Sequence, residues 1–445
     1  MAILGGGLAG LAAAYYARKR GIPFTVFEKE EEIGGNCRSF RHGAFRFDCG
    51  AHRLHDKDPE TTRVLHELLG DGLQRITAPS QICDDGRFLG FPFSPLGLLS
   101  HLGLARFVQS GLEIMGTRLS AHGEPLDFES SAVHTYGATL ARKFLLNYSE
   151  KLWGTPCRQL SPDISGGRLK GLRLRTVLAE MLLGRDARAR HLDGAFYYPR
   201  GGYGEIARAL AAECGNQSIR TGSKVTRIRH DGRRVQSIEV AGHTIRPLTH
   251  VVSTLPITRF VELLSPAAPD EVVRAARDLR FRRLILVALF LNMEQVTPNA
   301  SIYFPDPGIP FTRVSEPRNR SPLMAPRGQT SLLAEIPCET HDPFWSMHDD
   351  SLLSMVRDIC ARVFSLPAGA CYDGTVRRVG YAYPVLDVHA RERLQCIRVF
   401  VEHLENLTLS GRNGRFAYTH LHDMMKEGRE GVAALRDESA TRAWS

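Results

Sequence analysis

The beginning of the chain alternates apolar runs with glycine in the order strand, turn, helix, strand. The apolar run Ala2–Leu4 ends at a glycine cluster, and small and apolar residues then follow with helical spacing from Leu8 to about Arg20. A second apolar run, Phe24–Phe27, ends at Glu28. This succession predicts a βαβ unit whose two strands lie in one parallel sheet.

Further along the chain the pattern of apolar and polar positions changes twice. Residues 82–93 predict a hairpin, and the spacing becomes helical from residue 96 to about residue 184. Apolar and polar residues then alternate over 283–292 and 330–336. This alternation predicts a separate antiparallel sheet, so the chain is predicted to hold a helical part and a second sheet beside its first unit.

The first helix of the helical part is strongly apolar. Its apolar residues include Leu98, Leu99, Leu102, Leu104, Phe107 and Val108. Such a helix can pack in a core or lie against a membrane. Because the run is short and few basic residues accompany it, we expect core packing. The chain has no stretch of 18 apolar residues, so neither a membrane span nor stable membrane insertion is predicted.

Glycines mark the turn between the first strand and its helix. Gly5, Gly7 and Gly10 occupy the three positions of the G-x-G-x-x-G pattern. Gly5 permits a tight turn, Gly7 lets the backbone approach a pyrophosphate, and Gly10 lets the helix pack closely on the strand. The first-turn N–H groups of the helix face the phosphates, and Glu28 stands where a carboxylate accepts ribose hydroxyls. The sequence predicts a dinucleotide site; the alternative is a βαβ unit with a tight turn and no ligand.

A second glycine pair follows the second strand within a few residues. Gly34 and Gly35 again let the backbone approach a phosphate, and Arg38 adds a fixed cation. This doubled site resembles the FAD-binding superfamily that contains amine oxidases, protoporphyrinogen oxidase and UDP-galactopyranose mutase. The resemblance implies an α/β fold in which a Rossmann-type FAD-binding domain carries a helical subdomain and an antiparallel-sheet substrate domain.

The three predicted parts follow the changes of pattern along the chain. The FAD-binding domain is discontinuous, because the middle and the end of the chain return to the first sheet. The predicted boundaries are 1–95, 190–275 and 385–445 for the FAD-binding domain, 96–189 for the helical substrate subdomain and 276–384 for the antiparallel-sheet substrate domain.

The same resemblance assigns further residues to the cofactor. In these flavoenzymes the turn at Gly50 lies beside the isoalloxazine ring, where His52 could hydrogen-bond near the flavin or tune its potential; a histidine after a glycine turn can also be purely structural. Arg412 matches a segment along the flavin, so His52 and Arg412 are the candidate catalytic residues. The other expected cofactor contacts are Leu8, Ala9, Lys29, Asn36, Ala51, Val225, Thr254, Gly411 and Asp423.

Four further stretches resemble UDP-galactopyranose mutase, the eukaryotic-type enzyme in particular. They are 148–153 (the family's Y-x-x-K-x-W), 303–322 (F-P-x-x-x-x-P-F-x-R followed by N-Y-S-P), 380–384 and 410–418. The substrate-binding residues that this resemblance implies are Tyr148, Trp153, Arg168, Arg313, Arg320, Tyr383, Tyr418 and His422.

Two arginines carry the substrate hypothesis. The resemblance places Arg168 and Arg313 on the diphosphate of a nucleotide sugar, to which guanidinium groups make forked, charge-assisted bonds. Because buried arginines without carboxylate partners are costly, we expect both to line one cavity that an anion fills. The alternative is that each belongs to a surface or interdomain ion pair.

Two positions depart from the mutase pattern. Arg320 stands where the family has a tyrosine, and we expect it at the rim of the pocket, where it modifies substrate choice. The stretch that contains His422 stands where the family has an asparagine. Since both positions face substrate in the family, the sugar, the nucleotide or the reaction can differ.

The function implied by the resemblance is FAD-dependent isomerisation of a nucleoside-diphosphate sugar between pyranose and furanose rings, through a flavin N5–sugar adduct. It implies that reduced FAD is required, with NAD(P)H as a possible reductant. One alternative is a redox flavoenzyme, either an oxidase, a dehydrogenase or a desaturase, of the amine oxidase and protoporphyrinogen oxidase branch. Another is a non-enzymatic binder like the Rab escort proteins, which the intact Gly7, Glu28, Gly35 and Arg38 argue against.

Charge adds one constraint on the ligand. The chain of 445 residues carries a net charge of +9, mostly from arginine, with only eight lysines. No run of five basic residues and no aromatic–basic ribbon occurs, so a nucleic-acid partner is not predicted. The excess fits either an anionic small-molecule substrate or membrane surface, or arginine-rich codon usage.

Cysteine usage bears on the compartment. The nine cysteines are scattered and form no C-x-x-C pair, so neither a metal site nor a redox dithiol is indicated. An odd number with irregular spacing favours reduced thiols in a cytoplasm. A homo-oligomer is compatible with the sequence, which does not specify the number of subunits.

Overall fold

The structure is a computed structural model that describes residues 1–119, 125–165, 195–246 and 248–442. The strands are β1 Ala2–Leu4, β2 Thr25–Phe27, β3 Ser39–His42, β4 Phe45–Asp48, β5 Leu73–Thr77, β6 Ser80–Asp84, β7 Arg87–Phe91, β8 Ala195–Pro199, β9 Ile219–Arg220, β10 Val225–His230, β11 Val235–Val240, β12 His243–Ile245, β13 Val251–Ser253, β14 Leu264–Ser265, β15 Phe281–Leu291, β16 Ser301–Tyr303, β17 Arg313–Ser315, β18 Thr330–Cys338, β19 Cys371–Pro384 and β20 Leu407–Leu409.

The helices connect these strands. They are α1 Leu8–Lys19, α2 Pro59–Leu69, α3 Pro95–Leu119, α4 Phe128–Leu140, α5 Asn147–Trp153, α6 Gly204–Cys214, α7 Ile257–Glu262, α8 Asp270–Arg277, α9 Pro343–Ser346, α10 Asp349–Phe364, α11 Ala390–Glu402, α12 Gly411–Gly414 and α13 Leu421–Arg442, with a π-helical segment Ala141–Leu146 between α4 and α5.

A parallel sheet organises the first domain. Its strand order is β20-β13-β1-β2-β9, and β1 pairs with β2 and β13 along its whole length. The strands are apolar and buried because helices cover the sheet, with α1, α6 and α13 in one hydrophobic core. The βαβ unit predicted from the sequence is confirmed, and strands from the middle and the end of the chain do return to this sheet.

An antiparallel arrangement dominates the second sheet. Among the described residues, its strand order is β19-β15-β18-β17-β16-β6-β7. β15 pairs with β18 from Arg283 opposite Cys338 to Leu291 opposite Thr330. The antiparallel pairing predicted for these two segments is therefore confirmed.

The β6–β7 hairpin belongs to the second sheet, whereas the predicted domain boundaries place it in the FAD-binding domain. β6 and β7 form the expected hairpin, but β6 also pairs with β16, with Ser80 opposite Ser301. The hairpin thus extends the substrate-side sheet, although the predicted FAD-binding domain included residues up to 95. Sequence alternation identifies a strand but not its partner, which is set by long-range packing. The remaining boundaries stay predictions.

The helix α3 does not pack as expected. One side buries Ser110 and Ile114 against neighbouring elements, but the opposite side exposes Leu104 (70%), Leu112 (64%) and Met115 (59%). The prediction of plain core packing is therefore wrong for this face, because α4 and β7 cover only one side of the helix. None of the helices built from described residues is long and apolar enough to cross a bilayer.

Candidate active site

A single large cavity runs from the β1–α1 turn to the second sheet. Its volume is about 1930 Å³. A pocket for one drug-sized ligand occupies roughly 300–1000 Å³. The cavity therefore has room for a dinucleotide and a second ligand beside it.

Two glycine turns form the first end of the cavity. Gly5 has a positive φ of 106°, and a Cβ on Gly10 would overlap the Gly5 carbonyl oxygen, so α1 lies against the turn only with glycine there. The Gly34 N–H donates to the Gly6 carbonyl at 2.8 Å, which holds the second turn against the first. Gly7 faces the cavity with free space around it, and the nearest atom to an added Cβ is the Gly35 Cα at 4.0 Å. The backbone at Gly7 is thus open to a phosphate, whereas a Cβ on Gly35 would lie only 3.2 Å from the Gly7 Cα.

Glu28 lies at the end of β2 and is buried. Its Oε2 accepts the Gly6 N–H at 2.7 Å, and its Oε1 accepts the Glu30 N–H at 3.0 Å. A carboxylate offers about four lone-pair sites. The two backbone bonds fix Glu28 and leave acceptor capacity for ribose hydroxyls, so this end fits the adenosine-diphosphate part of a dinucleotide.

His52 lies on the cavity wall beyond the glycine turns. Its Nδ1 is 3.1 Å from the Gly50 carbonyl oxygen, and its ring stacks on Tyr203 with 4.6 Å between ring centroids. Burial, together with Arg412 and other arginines of this region, lowers the pKa of His52 to about 3. The imidazole is therefore neutral at physiological pH and offers one donor and one acceptor.

Arg412 lies in the short helix α12, directly after Gly411, and also faces the cavity. Its Nε and one terminal nitrogen donate to the Thr419 carbonyl at 3.1 and 2.7 Å, and its guanidinium lies 5.1 Å from the Tyr418 ring centroid. No carboxylate of the described residues lies within ion-pair distance of it. Arg412 is therefore a fixed cation that no acidic side chain of the described residues neutralises directly.

Arg313 lies on β17 at the substrate end of the cavity, and it has a carboxylate partner. Its Nε and one terminal nitrogen donate to the two oxygens of Glu335 at 2.9 and 2.6 Å. Glu335 is 2% exposed and also accepts the Ala51 N–H at 3.0 Å. Although burial alone would lower the pKa of Arg313, Glu335 holds it well above its usual value. The expectation of a buried arginine without a carboxylate partner is therefore wrong for Arg313.

Tyrosines form the wall beside Arg313. Tyr148, Tyr383 and Tyr418 all line the cavity, and the rings of Tyr383 and Tyr418 lie 6.4 Å apart. Burial raises the pKa values of Tyr148 and Tyr383, so both hydroxyls are protonated and can donate. Trp153 lies behind them, 6.0 Å from the Tyr383 ring and 5.9 Å from the Tyr418 ring. The wall therefore presents tyrosine hydroxyl groups, and the buried indole of Trp153 packs behind the rings of Tyr383 and Tyr418.

The structure brings most of the expected residues together at this cavity. Those on its wall are Gly5, Gly7, Leu8, Ala9, Glu28, Lys29, Gly35, Asn36, Arg38, Gly50, Ala51, His52, Tyr148, Val225, Thr254, Arg313, Tyr383, Gly411, Arg412 and Tyr418. Their individual roles stay predictions.

Five described residues do not line the cavity. Gly10 packs under the turn, and Trp153 lies behind the tyrosines. Arg320 is 2% exposed and donates to the Ala300 carbonyl at 2.9 Å, so its expected place at the pocket rim is wrong. His422 is 3.2 Å from Asp423, whose other oxygen accepts the His420 N–H and caps α13. Asp423 thus has a local capping role, and the cofactor and substrate contacts expected of this pair stay predictions.

Arg168 lies outside the described residues, so the expected convergence of Arg168 and Arg313 stays a prediction. Two other cavity residues were not anticipated. Glu335 is a lone carboxylate within the buried run of β18, a pattern that could have marked it as a paired charge. Arg53 follows the glycine turn directly and lines the cavity beside His52.

Basic side chains outnumber acidic ones on the cavity wall. Among the described residues, ten lysines and arginines line the cavity against four aspartates and glutamates. Such a surplus attracts anions. The surplus of basic side chains favours an anionic ligand, rather than arginine-rich codon usage, as the explanation of the positive net charge.

Comparisons with known proteins agree with this geometry. The family model for flavin-containing amine oxidoreductases matches residues 8–385. Phytoene dehydrogenase of Streptomyces griseus is 24% identical over 396 residues, which span 76% of this chain and 72% of that protein. Protoporphyrinogen oxidase 2 of Arabidopsis thaliana is 38% identical over 68 residues, which span 15% of this chain and only 13% of that protein.

Among solved structures, a reduced UDP-galactopyranose mutase superposes with a TM-score of 0.85. The superposition covers 97% of this chain and 92% of the mutase at 20% identity. An identity this low supports the shared α/β fold and not a shared substrate. Since the family model covers most of the chain and the glycine turns and Glu28 fit the cofactor, the chain belongs to the family of flavin-containing amine oxidoreductases and is an FAD-dependent enzyme.

Proposed function

We propose that this enzyme interconverts the pyranose and furanose ring forms of a nucleoside-diphosphate sugar. The observation that carries the proposal is the wall of the cavity opposite the glycine turns, where three tyrosine hydroxyls lie beside Arg313 and Arg412. A diphosphate has many acceptor oxygens and negative charge, and this wall offers hydrogen-bond donors and, at Arg412, a cation without a carboxylate partner among the described residues. The similarity in fold to a UDP-galactopyranose mutase adds support.

The residues of the glycine turns would hold the pyrophosphate of FAD, and Glu28 its ribose. Val225 and Thr254 would lie on the adenosine side, with the flavin ring between Gly50 and Arg412. When bound, the flavin supplies an electron-rich centre if reduced, or a hydride acceptor if oxidised. Our proposal requires the reduced form, with NAD(P)H as a possible reductant.

The side chains around the substrate would bind and orient it. Tyr383 and Tyr418 would donate hydrogen bonds to phosphate or sugar oxygens. Because His52 is neutral, it can donate or accept a hydrogen bond without adding charge beside the flavin. Arg313 is neutralised by Glu335, so we expect it to orient a phosphate through its free N–H groups more than to attract it.

A redox reaction is the second candidate, and one feature of the cavity favours it. Beyond Tyr148 the wall becomes aromatic, with Phe93 4.7 Å from Phe144 and 5.6 Å from Phe91 between ring centroids. This part suits an apolar substrate. Phytoene dehydrogenase, among the relatives, is named for such a reaction. An oxidase, dehydrogenase or desaturase would use this end of the cavity in place of the tyrosine wall.

Spectral titration distinguishes the two candidates. UDP-sugars, amines and porphyrinogens are added in parallel to the purified holoenzyme, and the flavin absorbance is recorded. We expect only UDP-sugars to perturb the spectrum, and turnover only after dithionite or NAD(P)H reduction, with no net loss of reductant. Peroxide formed in step with substrate loss would instead establish the oxidase.

The proposal includes a cytoplasmic location. All nine cysteines are free thiols, and seven of them are buried. Reduced thiols suit a reducing compartment. A homo-oligomer is compatible with the proposal but is not needed for it.

A further inference from the structure

Arg53 is an arginine held in place at the cavity wall. One terminal nitrogen donates to the Ser80 hydroxyl at 2.7 Å, and the guanidinium lies 5.1 Å from the Phe196 ring centroid. Phe196 lies on β8, which pairs with β5. The hydroxyl and the ring therefore fix the guanidinium, which reduces the entropy lost when it binds a ligand.

A second, buried arginine lies close to Arg53. Ser80 on β6 is paired with Ser301 on β16, and Ser301 accepts from Arg320 at 3.2 Å. Two serines on neighbouring strands thus hold two guanidinium groups near each other. Burial lowers the pKa of Arg320, and the proximity of Arg53 lowers it further.

The positive charge at this point is only partly offset, by the buried carboxylate of Asp48. Among the described residues, no carboxylate lies within ion-pair distance of Arg53, and the Nε of Arg320 is buried without a hydrogen-bond partner. The oxygens of Asp48 accept bonds from Ser39, Tyr198 and the Tyr203 N–H, and this carboxylate acts on Arg320 from beyond ion-pair distance. Two like charges held together in a low dielectric repel each other unless an anion is present.

The same part of the cavity wall is basic elsewhere. It also includes Lys57 and Arg75, with Asp56 as the acidic residue of this stretch. These groups come from the segment after His52 and from β5. They lie on elements other than β17 and β18, which carry Arg313 and Glu335.

We propose that Arg53 forms a second anion-binding subsite in the cavity, with Arg320 behind it as a fixed positive charge. The ligand is a phosphate or a carboxylate group. It belongs either to the substrate itself or to a separate small ion bound beside it. The subsite uses neither the tyrosine wall nor the two phosphate-side glycine turns, although Arg53 directly follows His52.

The test uses the FAD-loaded enzyme and inorganic phosphate, with acetate in a parallel series. Calorimetry gives the affinity of each anion for the wild type and for Arg53→Gln. We expect Arg53→Gln to weaken phosphate binding by about tenfold or more, the effect of losing a charged hydrogen-bond donor. Equal affinity in both proteins would overturn the subsite.

Arg283→Gln is the matched control. Arg283 also lies on an aromatic ring, 4.7 Å from the Trp345 centroid, and also donates to a hydroxyl, that of Thr340 at 2.8 Å. Among the described residues it is not part of the cavity wall. We expect its phosphate affinity to match the wild type, and a loss equal to that of Arg53→Gln would mean that only net charge matters.

Two further measurements keep the result decisive. If Arg53→Gln does not retain flavin, Arg53→Lys replaces it. Lysine keeps the charge but not the fork, so phosphate should bind more weakly than to the wild type, and unchanged binding would overturn the proposal. Repeating the titration with saturating UDP distinguishes a separate ion from a group of the substrate. If phosphate still binds through Arg53, the subsite holds a separate ion. If UDP displaces the phosphate and binds more weakly to Arg53→Gln, the subsite belongs to the substrate. A UDP that does not bind at all argues against the sugar-nucleotide proposal and leaves the phosphate result standing.

Discussion

The two ends of the large cavity are built from different kinds of groups. At the dinucleotide end, the cavity wall consists mainly of backbone, small residues and one carboxylate from the first β-α-β unit and the turn that follows it, with Val225 and Thr254 added from later in the chain. At the substrate end, the contacts are charged and aromatic side chains from β17, β18, α5 and the segment before α13. Arg313 and its partner Glu335 are brought together only by the pairing of two strands.

This difference affects how each end responds to substitution. Backbone donors carry no net charge, although the Gly6 and Glu30 N–H groups are bound to a side chain, that of Glu28. At the substrate end, Arg313 and Glu335 form a buried pair, so removal of either leaves an uncompensated charge. The dinucleotide end should therefore lose ligand affinity when it is altered, whereas the substrate end should lose stability as well.

The largest expected effect is at the substrate end. Arg313→Gln leaves Glu335 buried without its partner, and we expect the free energy of unfolding to fall by about 3 kcal/mol, the lower end of the range for breaking a buried ion pair. Denaturant unfolding of the holoenzyme measures it. Adding Glu335→Gln to the same protein should restore part of the loss, because the unpaired charge is then removed.

An exposed pair provides the control for that prediction. Arg391 lies 3.1 Å from Asp163, and both side chains are largely exposed. Arg391→Gln should change stability by about 0–1 kcal/mol. If Arg313→Gln costs no more than this control, Arg313 and Glu335 do not act as a buried pair and the contrast between the two ends fails.

At the dinucleotide end, the main expected effect is on cofactor affinity, although Glu28→Ala also leaves the Gly6 and Glu30 N–H groups without their carboxylate acceptor. Glu28→Ala removes the charged acceptor for the ribose, so we expect FAD binding to weaken by roughly 1–3 kcal/mol. Fluorescence of the flavin released on dilution measures this affinity. Glu31→Ala, at an exposed neighbouring position, should bind FAD as the wild type does. Unchanged FAD affinity in Glu28→Ala would remove Glu28 from the cofactor site.

The last expected effect depends on pH and concerns the boundary between the two ends. Because the pKa of His52 is about 3 in the folded protein and ordinarily 6.5, the unfolded chain binds more protons between these values. The contribution of His52 to stability is therefore complete above about pH 6.5 and falls as the pH is lowered towards 3. His250, with a pKa of about 4, adds a contribution of the same sign.

Melting temperatures against pH measure this effect. As the pH is lowered from about 7 to about 4.5, the melting temperature of His52→Gln should fall less than that of the wild type, since glutamine stays neutral. His243→Gln, at an exposed position, should follow the wild type. An identical pH profile for all three proteins would mean that the imidazole of His52 titrates normally.

The features that the sequence determined are those with a local cause. The β1–α1 turn needs glycine at positions 5 and 10 because of its own backbone, and the spacing of Glu28 follows from the length of α1. The antiparallel pair β15 and β18 also follows from residues that alternate or are continuously apolar. These patterns depend on periodicity and on sterics within a few residues, so the fold class and the flavin site could be predicted.

Other features were decided only by the tertiary structure, because they depend on which distant groups meet. Nothing near Arg313 in sequence identifies Glu335 as its partner, and nothing near Arg320 shows that it is buried beside Ser301. The apolar positions of α3 predict an amphipathic or buried helix, but only the arrangement of α4 and β7 leaves Leu104 and Met115 exposed. A charge or an apolar face has a local origin, whereas its partner is set by packing between segments far apart in the chain.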